Sequence, residues 1–432
     1  YSSLVSLCSG ILSVFFFFFF YFFLFFFLFF FFFFNDTATT EIYTSLFVGS
    51  VRCVIRDRRL GEHRVNFIHQ ALIDLDASLQ GFGQQLIVLQ NNGLTPLLNV
   101  IDSLEFTDVS AEWHCGVNEQ SQWAELKKLR PQLSFIQENG STLFQASQFP
   151  FAIENLPASF SPFRKKVEKY CQVESLSAPI KTMPASRISQ ISFDSIDVNR
   201  LSTSKNYYAA LEGGETKALE QLKYYLWDTD QITTYKETRN GLDGWEFSSK
   251  LSAWLAQGCI SPKYIYHELS QYEAERTKND STYWLFFELL WREFFHWNQY
   301  KHKAALFSKS GVQGVAKASS ADLKTLQCWQ QGDTGYPIVD ACMRQLLRTG
   351  FMSNRGRQLV ASCFVHELGQ DWRYGARHFE HQLVDFDVAS NWGNWQYLAG
   401  VGADPRGHRQ FNLVKQTEFY DPQKSFIAHW LS

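Results

Sequence analysis

The stretch LVDFDVASNWGNWQY sets two carboxylates, Asp385 and Asp387, two residues apart and just ahead of Ser390, Asn391, Trp392 and Trp395. Carboxylates that close to an apolar aromatic cluster lose hydration and need partners. Two readings account for them: a helix start with Asp or Ser at its N-cap and the aromatics in the core, or a site that binds hydroxyls and ring nitrogens of a large planar ligand. Upstream, GFMSNRGRQ places Asn354, Arg357 and Gln358 at i, i+3 and i+4 on one helical face. Arg357 is a candidate ion-pair partner for Asp385, although a solvated charged face has the same pattern. FFELLWREFF places Glu288, Trp291 and Arg292 at i, i+3 and i+4. There a carboxylate and an indole would form one wall that both stacks and hydrogen-bonds; a core helix with a paired Glu reads the same way. FSSKLSAWLAQGCISP offers Ser248, Ser249 and Ser252 before a helix that ends near Gly258. Hydroxyls and free N–H groups at a helix start suit a phosphate, and equally suit ordinary capping.

These residues need elements to hold them. From Val51 to about Glu138, β-like runs (VRCVI, QQLIVLQ, FTDVSAEWH, LSFIQ) alternate with helical stripes (FIHQALIDLDASLQ, PLLNVIDSL, NEQSQWAELKKL). The first stripe puts Ile68, Ala71, Leu72, Leu75 and Leu79 on one face and stops at Gly81 and Gly83. Strict alternation predicts a doubly wound parallel α/β sheet over residues 49–138. Residues 139–207 read as a connector with one short helix at FSPFRKKVEKY. Residues 208–432 carry long helical stripes and no β alternation, which predicts an all-α domain.

Bulk properties narrow the function. A net charge of −3 gives no global attraction to nucleic acid, so any such contact must come from a local basic patch. Eight cysteines without a C-x-x-C pair or metal-ligand spacing read as reduced thiols in a cytoplasmic protein, with no metal site expected. Residues 15–34 comprise 17 Phe, one Tyr and two Leu, long enough to span a bilayer. That run lacks the small residues that pack membrane helices and the Lys or Arg that orient them. All but Gly10 of residues 1–34 have codons within one base change of the Phe codon TTT, and NDTATTEIYT resembles translated sequencing adaptor. Residues 1–48 are therefore expected to be a translation artefact, with a genuine membrane anchor as the alternative.

Taken together, the order and wording of these segments resemble the photolyase/cryptochrome flavoprotein family. DTGYPIVDACMRQLLRTGFMSNRGRQLVAS, DWRYGARHFEHQLVDFDVASNWGNWQY and KQTEFYDPQ are similar to its DASH-type cryptochrome branch in particular. The resemblance covers about Val51 to Leu431. It implies an antenna-binding α/β domain, which opens in the family with a strand and motif not found before Val51, followed by an all-α domain holding FAD.

By that resemblance, Tyr235 and the run Ser248, Ser249, Lys250, Leu251, Ser252 would grip the FAD phosphates. Asp385 and Asp387 would face the ribityl and flavin side, Arg357 would pair with Asp385, and Asn391 would lie beside the flavin N5. The implied reaction is light-driven repair of cyclobutane pyrimidine dimers by an electron from reduced FAD. The dimer leaves the helix to reach the flavin; Glu288 would bond its edge, Trp291 would stack on it, and Asn354 and Gln358 would line its site. Tyr397 stands where double-strand photolyases place a second Trp, which implies a preference for single-stranded DNA. Arg239, Arg344, Arg355, Arg406 and Arg409 would contact phosphates. Trp395 and Trp372 match the first two members of an electron-relay chain, while the distal position aligns on Ser319, ten residues before Trp329. Glu119 in GVNEQ matches a contact to a folate antenna, 5,10-methenyltetrahydrofolate, and also looks like a helix-capping residue. The protein is expected to act as a monomer. The competing implication is a blue-light signalling flavoprotein that binds nucleic acid with little repair.

Overall fold

The computed structural model describes residues 60–89, 94–104, 106–183, 195–201, 203–403 and 409–432. The phenylalanine run, the rest of 1–48 and the expected strand VRCVI lie outside the described residues.

Helix α1 (Glu62–Gln80) buries Ile68, Ala71, Leu72, Leu75 and Leu79, as its stripe predicts. A fully buried Leu or Ile is worth roughly 1.5–3 kcal/mol. The helix ends at Gly81, and Gly83 follows with φ of +69°. Its apolar face shares a core with Leu222 and Trp254 of the helical half. Although its sequence lies in the α/β region, α1 therefore packs on the all-α domain.

β1 (Val88–Leu89), α2 (Thr95–Ser103), β2 (Asp108–Glu112), α3 (Val117–Leu129) and β3 (Ser134–Glu138) follow in the expected alternation. β2 and β3 pair in parallel, with Val109 opposite Phe135 and Ala111 opposite Gln137. α3 is the crossover that such a pair requires. Ile101, Val109, Ala111, Trp123 and Leu126 close a separate small core around them. β1 departs from the parallel expectation. After α4 (Phe160–Tyr170), at the helix expected in the connector, comes β4 (Ser195–Ile196), and β1 pairs antiparallel with it. A two-residue ladder is too short to leave a side-chain period, so nothing in the sequence signalled it.

The helical half comprises α5 (Glu215–Lys223), α6 (Tyr235–Thr238), α7 (Ser252–Ala256), α8 (Pro262–Glu275), α9 (Asp280–His302), α10 (Leu323–Gln331), α11 (Pro337–Thr349), α12 (Asn354–Ser362), α13 (Trp372–Gln382), α14 (Val388–Ala399), α15 (Leu413–Tyr420) and α16 (Ser425–Leu431). α9 organises it. The Asn279 side chain accepts from the Ser281 and Thr282 N–H groups to start the helix, and its faces meet α6, α8 and α14. Gly393 lets α14 close on α9, since a Cβ there would lie 2.3 Å from the Phe295 ring. Gly375 does the same on α13, where a Cβ would lie 2.2 Å from the Trp395 ring.

A buried carboxylate ties the connector to α9: Glu293 accepts from the Leu143 and Phe144 N–H groups and from Trp297 Nε1. The six described cysteines are free. No described helix is long and apolar enough to cross a membrane. No described group of side chains has the make-up of a metal site.

Candidate functional site

A cavity of about 520 Å³ opens between α6, α7, α9, α12 and α14. α9 supplies Glu288, Trp291, Arg292 and Phe295 at i, i+3, i+4 and i+7, one continuous stripe. α14 supplies Asn391, Trp395 and Leu398 in the same way. The run Ser248 to Ser252 crosses the floor into α7, with Lys250 in the left-handed region at φ +58°. The start of α12, capped by Ser353, brings Asn354, Arg355, Arg357 and Gln358.

The carboxylates are fixed by specific partners. Arg357 Nη2 donates to Asp385 Oδ2 at 2.8 Å. The other oxygen, Oδ1, is buried at the cavity wall with no partner. Asp387 Oδ1 caps α14 by accepting from the Ser390 N–H at 2.7 Å, and Oδ2 lies 3.0 Å from His296 Nε2. The capping and ligand readings of this segment are therefore both compatible with one structure: Asp387 caps while Asp385 keeps an oxygen free.

Burial works against the Asp387 charge, yet His296 beside it holds the carboxyl well below the usual carboxylate range. Burial lowers His296 in turn. The buried His296 Nδ1 has no partner, which fits a neutral ring donating from Nε2. His296 was missed in the sequence; its one signal is its place four residues after Arg292 on the same helix.

Lys250 is 8% exposed, and burial lowers its amine to about 8 despite Asp243 and Glu246, with Arg357 adding to the effect. A buried amine and an unpartnered carboxylate oxygen in one cavity call for a ligand bearing both an anion and a hydrogen-bond donor. FAD, with its diphosphate and its ribityl hydroxyls, meets that requirement.

On the α9 side, Glu288 and Arg239 form an ion pair of 2.7 Å that separate sequence segments did not reveal. Burial raises the Glu288 carboxyl, and Arg239 opposes that rise. Trp291 is overlaid by Phe160 of α4, with ring centroids 3.7 Å apart, so one of its faces is already occupied. Arg409 lies over the Tyr397 ring at 4.3 Å. The Asn391 amide donates to the Ala376 carbonyl at 3.0 Å, which fixes its orientation.

Of the expected residues, Tyr235, Ser248, Ser249, Lys250, Leu251, Ser252, Arg239, Glu288, Trp291, Asn354, Arg355, Arg357, Gln358, Asp385, Asp387, Asn391, Trp395, Tyr397 and Arg409 all line this cavity. Arg344 does not: its guanidinium donates to the Gly332 and Leu431 carbonyls, and so anchors the end of α16. Trp372 lies behind the wall, its Nε1 donating to the Lys309 carbonyl. Arg406 lies outside the described residues. Glu119 folds back over the start of α3, where it pairs with His114 at 3.4 Å. Burial opposes both charges, but the pairing prevails, leaving Glu119 below and His114 above its usual value.

Comparison with known proteins finds two family models on the chain. Residues 29–185 match the family model for DNA photolyase, and residues 284–432 match the FAD binding domain of DNA photolyase. The cryptochrome DASH of Idiomarina loihiensis is 48% identical over 373 residues, spanning 86% of this chain and 82% of that protein. The cryptochrome DASH of Vibrio parahaemolyticus is 46% identical over 375 residues, with the same coverage of 86% and 82%. Among solved structures, a Synechocystis cryptochrome superposes with a TM-score of 0.80 at 40% identity, covering 86% of this chain and 78% of that one. A bacterial class III photolyase from Agrobacterium tumefaciens superposes with a TM-score of 0.75 at 28% identity, again covering 86% and 78%.

Proposed function

This chain belongs to the photolyase/cryptochrome family, alongside its DASH cryptochromes, and from that premise we propose that it is a blue-light-dependent photolyase acting on cyclobutane pyrimidine dimers, preferentially in single-stranded DNA. The observation that carries the reading is one cavity lined both by Lys250 and the unpartnered Asp385 oxygen and by Glu288 and Trp291 of α9.

When bound, FAD would supply light-driven one-electron chemistry for opening the dimer. The chain's own part is positioning. Lys250 and the Ser248, Ser249 and Ser252 hydroxyls would hold the diphosphate, and Asp385, held by Arg357, would accept from a ribityl hydroxyl. Asn391 presents a neutral amide to the flavin. Glu288 recognises a pyrimidine edge, Trp291 offers its remaining face to the flipped bases, and Asn354 and Gln358 complete the wall. Arg239, Arg355 and Arg409 hold phosphates at the rim. Tyr397 provides a smaller platform than an indole, and unpaired strands, which need less unstacking, gain most from such a site.

A 5,10-methenyltetrahydrofolate antenna on the α/β portion is proposed more narrowly, because a Glu119 contact requires its carboxylate to turn away from His114. The deciding experiment illuminates the FAD-loaded protein with dimer-containing single-stranded and duplex oligonucleotides. Faster repair of the single strand is expected. Tight binding of both with no repair under light would replace this reading with the signalling one.

A further inference from the structure

Helix α15 (Leu413–Tyr420) presents a surface that the site above does not use. Phe419 is 74% exposed, the most open large apolar side chain among the described residues; Val414, 68% exposed, lies about 140° round the helix on the Glu418 side. Lys415 is exposed four residues before Phe419, so the two share a face of the helix. Glu418, one step round, points about 100° away. The helix is held firmly at its start, where the Asn412 side chain accepts from the Lys415 N–H.

The patch is continuous with the cavity rim. Phe419 meets the Tyr420 ring at 4.8 Å, and the Arg355 guanidinium lies 4.9 Å over the other side of that pair, on Tyr420. Arg355 itself lines the cavity, and its buried Nε has no partner. An exposed aromatic face, a cation one turn away and a second cation leading into the site make up a stacking platform for an unpaired base with its phosphate.

We propose that α15 binds single-stranded DNA flanking the lesion: an unpaired base stacks on Phe419, Lys415 neutralises a phosphate, and Arg355 continues the track into the cavity. The inference rests on the DNA-binding reading above and extends it. A duplex keeps its flanking bases paired, so the platform discriminates in favour of single strands.

The test measures binding of FAD-loaded protein to a fluorescein-labelled oligo(dT) and to a duplex of the same length, by anisotropy, at several salt concentrations. Phe419→Ala should weaken oligo(dT) binding by about five-fold or more and leave duplex binding unchanged, while Phe419→Tyr keeps most of the affinity. Lys415→Gln should lower the salt slope by about one contact. Flavin absorbance and melting temperature report that the variants remain folded. If the parent protein binds oligo(dT) and all three variants match it, this inference fails and the functional reading stands. If the parent protein binds no DNA, both fail. A Phe419→Ala change in sedimentation with unchanged oligo(dT) affinity would instead assign the patch to a second copy of the chain, and would overturn the proposal.

Discussion

Phe160, the first residue of α4, lies nearly parallel to Trp291, with ring centroids 3.7 Å apart and planes inclined by 10°. Phe295 lies 5.6 Å away on a similar plane, and Tyr397 meets the indole edge-on at 5.9 Å. The short helix that the sequence placed in the connector thus sets the plane of the indole expected to stack on substrate. Phe160 is 5% exposed. Phe160→Ala should cost about 3–5 kcal/mol by leaving a cavity, a fall of about 5 °C in melting temperature for a chain of this length. The gentler Phe160→Leu should weaken binding of dimer-containing strands several-fold while FAD occupancy, read from flavin absorbance, stays full. Equal losses of both would mean that the contact serves only folding.

The Arg239–Glu288 pair carries a pH signature. Burial raises the Glu288 carboxyl, and Arg239 at 2.7 Å pulls it back. Protonated Glu288 donates a hydrogen bond, whereas the ionised form only accepts. Removing the Arg239 charge must therefore raise the carboxyl further and extend the protonated form to higher pH. The pH midpoint of dimer affinity should shift upward in Arg239→Met relative to the parent protein, and disappear in Glu288→Gln. Loss of the Arg239 phosphate contact lowers affinity at every pH and cannot move the midpoint, so an unmoved midpoint would show that Arg239 does not govern Glu288.

Lys250 gives a second titration, the same in origin and opposite in direction. Its amine is lowered to about 8 by burial, so above that pH the ligand-free folded protein lacks a proton that the unfolded chain keeps up to the ordinary lysine value. A bound phosphate favours the charged amine and raises it again, so binding takes up a proton above pH 8. Affinity for adenosine diphosphate, the diphosphate half of FAD, should be nearly full at pH 7, about halved at pH 8 and about ten-fold weaker at pH 9. Calorimetry in buffers of different ionisation enthalpy would count the proton. Lys250→Met should bind weakly with a flat profile; a flat profile in the parent protein would remove Lys250 from the phosphate site.

What the sequence revealed follows the range of the forces involved. Helical stripes of ten residues or more are local, so α1, α9 and α11 stand where their periodicity placed them, α14 starts at the cap its Asp residues offered, and the β2, α3, β3 unit is parallel. β1 falls within the expected run QQLIVLQ, but the two-residue β4 and its antiparallel pairing had no period to read. Within the site, residue types marked the walls, but the pairings arise in three dimensions. His296 and Asp387 meet across 91 residues, and no spacing rule joins Arg239 to Glu288. Arg344 shows the converse: charge alone suggested a phosphate contact, and the fold uses its donors on the Gly332 and Leu431 carbonyls instead.

The electron relay that the family resemblance implies can be set against the packing of its rings. Trp395 lines the cavity and touches Trp329 at 6.0 Å, while Trp372 touches Trp392 at 5.6 Å. Ser319, aligned with the missing distal Trp, is half-buried, and its neighbour Ser320 bridges Gln370 and accepts from the Asp371 N–H at 2.9 Å. An indole at 319 would therefore stand beside the turn that leads into Trp372, with access to solvent. Trp372 is only 4% exposed, so a charge left there lies far from an external reductant and returns readily to the flavin. Ser319→Trp should speed photoreduction of bound FAD severalfold with its absorption spectrum unchanged, and Trp372→Phe in that background should abolish the gain. An unchanged rate in Ser319→Trp would mean that the charge already leaves by another ring, and Trp329→Phe and Trp392→Phe, compared under the same illumination, would identify which.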